Sequence, residues 1–180
     1  KDYAYDIYER YAHGEMTSAD SIKVDTTALY YTVRGRRVYG GGGIIPDVFV
    51  PVDTTKATNF YISCNRKTTH VRFASAIFDE YRAELSQIDD FARLESYMKS
   101  LDLESRFLDY AARVDGIRPG KGEWEETKVY LMPQINALVG RYSKLDQEAF
   151  YRFYLPIDDI LLKAIESRSK KKKKNSVTHR

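Results

Sequence analysis

Lys121 stands between two glycines, Gly120 and Gly122, and Ser96 lies upstream of it. A serine and a lysine can form a hydrolytic pair, the lysine acting as general base once desolvation leaves it neutral. The surroundings argue against that use. Lys121 belongs to a polar Pro-Gly-Lys-Gly-Glu run, and Ser96 sits beside Glu95 and Lys99 in a helix-patterned stretch. No glycines near Ser96 could shape an oxyanion hole. The pair therefore reads as an exposed interhelix loop and a helix surface. Gly40, Gly41, Gly42 and Gly43 could in principle cradle a phosphate, but phosphate loops feed a helix N-terminus. Here Ile44-Ile45-Pro46 follows, and the residue before proline is biased away from helix. No Gly-Lys-Ser/Thr run is present, so the glycines are expected to form a conformational loop.

Arg36 could grip a carboxylate with its planar fork. The commoner outcome for an arginine is a structural ion pair, with Asp47 as the candidate partner. His13, His70 and His179 are scattered, and no Cys, His, Asp and Glu cluster has metal-ligand spacing. Cys64 is alone, which forbids an internal disulfide. The sequence thus assigns no catalytic residue, no cofactor-binding residue and no metal ligand.

The elements that would position these residues fall into two zones. Tyr3, Ile7, Tyr8 and Tyr11 have helical spacing, and Gly14 is a natural stop. Ile22, Val24 and Leu29 to Val33 read as strand, Arg34-Gly35 as a tight turn, and Arg36 to Tyr39 as the returning strand. Val48 to Val50 reads as a third short strand bounded by Pro46 and Pro51. Apolar stripes at helical spacing then follow. The first runs Ala74, Ile77, Phe78, Tyr81, Leu85, and the second Phe91, Leu94, Met98, Leu101. A third, opened by Asp102 as N-cap, runs Leu103, Phe107, Tyr110, Ala111, Val114. Gly116, Pro119, Gly120 and Gly122 mark a loop. Leu131, Ile135, Leu138, Val139 and Tyr142 resume the pattern, with Pro133 as a start or kink. Asp146 is placed to cap a helix with Phe150 and Phe153, and Pro156 to open a last helix through Ile165.

The fold class is therefore α+β: a short β-hairpin or strand segment over about residues 22–51, followed by a mainly α-helical region. The expected organisation is a β-rich segment 1–53, a helical region 54–167 and a basic tail 168–180. That tail is expected to be flexible and solvated. It supplies the net charge of +3, because Arg168, Lys170 to Lys174 and Arg180 have no acid among them. Residues 1–167 are mildly acidic, and no base-stacking platform accompanies the lysines, so nucleic acid is not an expected partner. A hydrophobic fraction of 43% fits a globular protein and argues against disorder. No apolar run reaches the ~20 residues of a membrane-spanning helix. The 15 tyrosines are expected mostly as half-buried packing with a wet hydroxyl.

Tyr30-Tyr31-Thr32, Gly35-Arg36, Val38-Tyr39-Gly40-Gly41-Gly42-Gly43-Ile44 and Pro46-Asp47-Val48 occur in one order. Together they resemble the segment after the catalytic lysine in C-terminal processing peptidases, also called tail-specific proteases, in the form found in Bacteroides-like bacteria. The match runs from about Leu29 to Asp53, with weaker similarity back to Asp2. The resemblance implies a serine peptidase with a Ser-Lys dyad, working in the periplasm or cell envelope on protein or peptide substrates. In that family both dyad residues precede the Tyr-Tyr-Thr segment, in Gly-Ser-Ala-Ser-like and Phe-Gly-Lys-Gly-like runs. Neither run lies before Leu29, so the chain reads as the C-terminal, non-catalytic portion of a longer enzyme, partnered by the protease core of the same polypeptide. Ser96 and Lys121 follow the segment, which is the wrong order for the dyad. The competing reading is a non-enzymatic helical protein-interaction module.

Overall fold

The computed structural model describes residues 3–22, 27–40, 48–53 and 57–177. Two compact units divide the chain, Lys1–Thr54 and Thr55–Arg180.

In the first unit, helix α1 covers Tyr3–Ala12. Gly14 ends it in the left-handed region at φ 77°, and the Glu15 N–H reaches back to the Arg10 carbonyl at 3.0 Å. That six-to-one bond is the closing contact of a Schellman turn, which a glycine adopts without steric cost. Tyr5, Ile7, Tyr8 and Tyr11 are all more than half exposed, so these four side chains of α1 face water and not a core. The expectation of half-buried tyrosines fails here, and again at Tyr30 and Tyr31.

Strands β1, Leu29–Tyr31, and β2, Arg37–Tyr39, form an antiparallel hairpin with Leu29 opposite Tyr39 and Tyr31 opposite Arg37. Thr32 and Arg36 close its end, and Val33, Arg34 and Gly35 make the three-residue loop. Gly35 donates to the Thr32 carbonyl at 2.8 Å and takes φ 74°, the left-handed position that such loops need. Val48 to Val50 form no strand, and Pro51 leaves the stretch one donor short. Ile22 is extended and belongs to no strand, its N–H bonding the Ala19 carbonyl after a 3-10 turn at Ala19–Ser21, and Val24 lies outside the described residues.

The second unit is helical. Its elements are α2 Asn59–Arg66, α3 Thr69–Glu80, the short α4 Arg82–Leu85 and α5 Phe91–Ser100. They continue with α6 Leu103–Asp115, α7 Glu123–Gly140, α8 Gln147–Tyr154 and α9 Asp159–Val177. The apolar stripes of α2 to α8 turn inward, with Val114 and Tyr142 left exposed at their ends. Phe60, Phe73, Ile77, Leu85, Leu94, Met98, Leu103, Phe107, Leu131, Ile135 and Val139 form one buried core. Helix α7 packs against α2, α3 and α8. It contacts α8 closely at Gly140, where an added Cβ would come within 3.1 Å of the Phe153 ring and 3.3 Å of Ala149.

Several local expectations change. Helix α2 has no counterpart in the expected elements. Thr58 caps it by accepting the Tyr61 N–H at 3.1 Å, and Phe60 and Cys64 are its buried pair. Tyr81 interrupts the stripe from Ala74 to Leu85, dividing it between α3 and α4. Asp102 holds the N-cap position of α6 at φ 47°, yet its carboxylate accepts from the Ser105 hydroxyl and caps no backbone N–H. Asp146 likewise caps nothing with its side chain, whereas Asp90 accepts the Arg93 N–H at 2.9 Å. Pro133 neither starts nor ends α7, because buried Leu131 and Ile135 hold the helix on either side of it. Pro156 lies in a 3-10 turn, Leu155–Ile157, and α9 begins after it. The basic run, expected as a loose tail, continues α9 as helix to Val177. Lysines near a helix C-terminus complement the negative end of its dipole.

Candidate functional site

The hairpin places the motif residues first. Gly40 donates to the Ala28 carbonyl at 2.8 Å, extending the ladder by one bond. An added Cβ there would fall 2.7 Å from the ring of Tyr30, an exposed side chain that would have to swing aside. Thr32 Oγ1 accepts the Arg36 N–H at 3.1 Å, which ties the Tyr-Tyr-Thr and Gly-Arg motifs into one turn. These two motifs are therefore a single structural device. Gly41 to Gly43, Ile44 to Asp47 and His179 lie outside the described residues, as does the Arg36–Asp47 pairing.

Ser96 is exposed on α5, and Lys121 is exposed in the turn before α7. The glycines around Lys121 have local duties. Gly122 takes φ 81° ahead of α7, and Gly120 donates to the Glu123 carboxylate at 2.6 Å. The other Glu123 oxygen accepts the Asn59 N–H at 3.1 Å. Glu123 thus fastens the loop to the start of α2, and Lys121 is carried outward.

One cluster brings together residues that the sequence scatters. Cys64, His70 and Asp115 come from α2, α3 and α6, a set that could in other surroundings make a nucleophile, a base and its orienting acid. Burial removes that chemistry here. The Cys64 thiol is fully buried and pushed up to about 12, so it stays protonated and inert. Burial also lowers the His70 pKa, and its Nδ1 has no hydrogen-bond partner. Asp115 gives its carboxylate to other residues. Arg72 reaches it at 2.6 Å and the buried Thr69 hydroxyl at 2.6 Å, while Lys67 donates to its backbone carbonyl at 2.8 Å. The Arg72 contact, with Thr69 second, holds the Asp115 carboxyl below its ordinary range. The cluster fastens α6 to α2 and α3.

Open clefts lie among the described residues of the helical unit. The first, about 440 Å³, lies between α3 and α6 and is lined in part by Phe73, Ile77, Glu80, Arg106, Asp109 and Arg113. Its charges are paired within the protein. Arg106 bonds Glu80 and the Tyr81 hydroxyl, and Arg113 lies 3.5 Å from Asp109. The second, about 370 Å³, has Met98, Met132 and Phe153 on its walls with Glu95, Lys99 and Glu104 at the rim. Neither holds a nucleophile beside a base. Among the described residues, no group of three or more His, Cys, Asp and Glu could hold a metal ion. No helix among them is long and apolar enough to cross a membrane. Comparison with known proteins finds no matching family model, no matching curated protein and no matching solved structure.

Proposed function

We propose that this chain is the non-catalytic C-terminal portion of a bacterial serine-type C-terminal processing peptidase, acting in the periplasm or cell envelope. One observation carries the reading. The hairpin bearing the Tyr-Tyr-Thr and Gly-Arg motifs has no core of its own, with Leu29, Tyr30, Tyr31, Val33 and Tyr39 all exposed. A lone two-stranded hairpin is marginal in water, and exposed aromatic residues on both strands suit a ribbon that completes a larger sheet. The peptidase core of the same polypeptide supplies that sheet, and with it the Ser-Lys dyad that in this family precedes the Tyr-Tyr-Thr segment. Its substrates are proteins or peptides trimmed from near their C-termini. The helical unit, with its own core and no chemical motif, is the scaffold of that enzyme.

The test is peptidase activity of the longer gene product against the 180-residue chain. The chain alone should cleave nothing, and Ser96→Ala and Lys121→Ala in the longer enzyme should leave turnover within about twofold. A folded Lys121→Ala variant that loses turnover would overturn the assignment. Absence of any upstream serine and lysine whose substitution abolishes cleavage would leave the interaction module. The complete core of the helical unit is what favours that second reading. Removing residues 54–180 separates scaffold from recruiter: loss of folding means scaffold, and intact peptide turnover with lost protein cleavage means recruitment.

A further inference from the structure

We propose that α9 is a peripheral docking arm for an anionic lipid surface, an inference independent of the peptidase reading. The helix runs from Asp159 to Val177, about 28 Å at 1.5 Å per residue. It packs chiefly on the 3-10 turn just before it, and its first half keeps large apolar side chains in water. Ile160 is 68% exposed and Ile165 55%. At 100° per residue, Ile160, Leu161, Ala164 and Ile165 fall within one arc of the helix. Lys163, Glu166 and Lys170 share the opposite side, where Glu166 bonds both lysines. Those contacts neutralise the one acid nearest the basic run. The Lys170 and Lys163 bonds, in that order, hold its carboxyl down at about 2.

Beyond Glu166 the sequence carries Arg168 and Lys170 to Lys174 with no further acid. The same helix therefore joins a short apolar face to a polybasic end. That combination matches a bilayer surface, where apolar side chains enter the acyl boundary and lysines meet anionic headgroups. A nucleic acid would use the charge and leave Ile160 and Ile165 without a role. The rest of the chain is mildly acidic, so an anionic membrane attracts this end and repels the body. The arm would then hold the helical unit off the surface.

Co-flotation of the full 180-residue chain with vesicles tests this. Expected is binding to phosphatidylcholine vesicles containing phosphatidylglycerol, none to phosphatidylcholine alone, and release on raising salt to half molar. Replacing Lys170 to Lys174 by glutamine should weaken partitioning by at least about 100-fold, because each basic residue near the surface contributes independently. The double variant Ile160→Ser/Ile165→Ser should weaken it by at least about 100-fold by removing the apolar area of two isoleucines. Both residues are exposed, so helical circular dichroism should be unchanged. Equal binding to neutral and anionic vesicles, or none to either, overturns the proposal. So does tighter binding to a single-stranded oligonucleotide that the isoleucine variant leaves intact.

Discussion

Replacing Phe107 by alanine should be the most damaging single truncation in the helical unit. Its ring has no solvent exposure and touches three other aromatics. Phe60 and Phe73 meet it edge-on with centroids at 6.3 and 5.3 Å, and Trp124 stacks at 6.1 Å. Truncating a buried phenylalanine costs about 3–5 kcal/mol in lost transfer energy and cavity formation. Each aromatic pair adds about 0.5–1.5 kcal/mol beyond area, so three lost pairs put this site at the upper end, about 4–5 kcal/mol. Unfolding entropy of about 2.1 cal/mol/K per residue over roughly 120 residues gives about 0.25 kcal/mol/K. The expected fall in Tm is therefore about 16–20 °C, read by circular dichroism at 222 nm. Trp124 is the single tryptophan, so its emission reports on the same cluster without interference. Phe107→Leu should lose less than half as much. A fall below about 5 °C for Phe107→Ala, with unchanged Trp124 emission, would refute the placement of this ring at the centre of the core.

Gly116→Ala should cost about 1 kcal/mol by chemical denaturation, since φ 68° is strained for a side chain although nothing lies within 4 Å of the added Cβ. The neighbouring Ile117 N–H bonds the Ala111 carbonyl at 3.0 Å, and weakened protection of that amide in hydrogen exchange should accompany the loss. Cys64 should resist a thiol-specific disulfide reagent at pH 8 in the folded chain and react at once in denaturant, because burial keeps it protonated. Acid should destabilise the fold in two stages. His70, whose pKa is lowered by burial, begins to favour the unfolded state as pH falls through its unfolded value of 6.5. Asp115, whose pKa is lowered first by Arg72 and then by Thr69, contributes stability above its unfolded value of 3.8 that is lost as pH falls further. Asp115→Asn should flatten the second stage and leave the first, as seen by equilibrium unfolding at pH 7, 5 and 3.

Local pattern determined a good deal by itself. The stripes from Ala74 to Ala111 and from Leu131 to Val139 are buried faces, because a 3.6-residue period leaves a helix only one way to hide its apolar side. Gly35 and Gly14 announced their turns, since a left-handed backbone selects glycine at once. The α+β order, hairpin then helices, follows from those signals. Tertiary structure alone decided the rest. Asp102 and Asp146 have the right residue type for caps, but the chain enters both helices at a positive φ that turns the carboxylate away from the backbone. Thr58, unremarkable in sequence, caps α2 because its hydroxyl also meets the buried Thr127 hydroxyl at 2.6 Å, a partner far along the chain. The Cys64, His70 and Asp115 cluster was equally invisible, for no spacing rule links residues that only the packing of α2, α3 and α6 brings together. Packing also sets its chemistry. The thiol and imidazole are held neutral by burial, a property that belongs to the neighbours and not to the residue type.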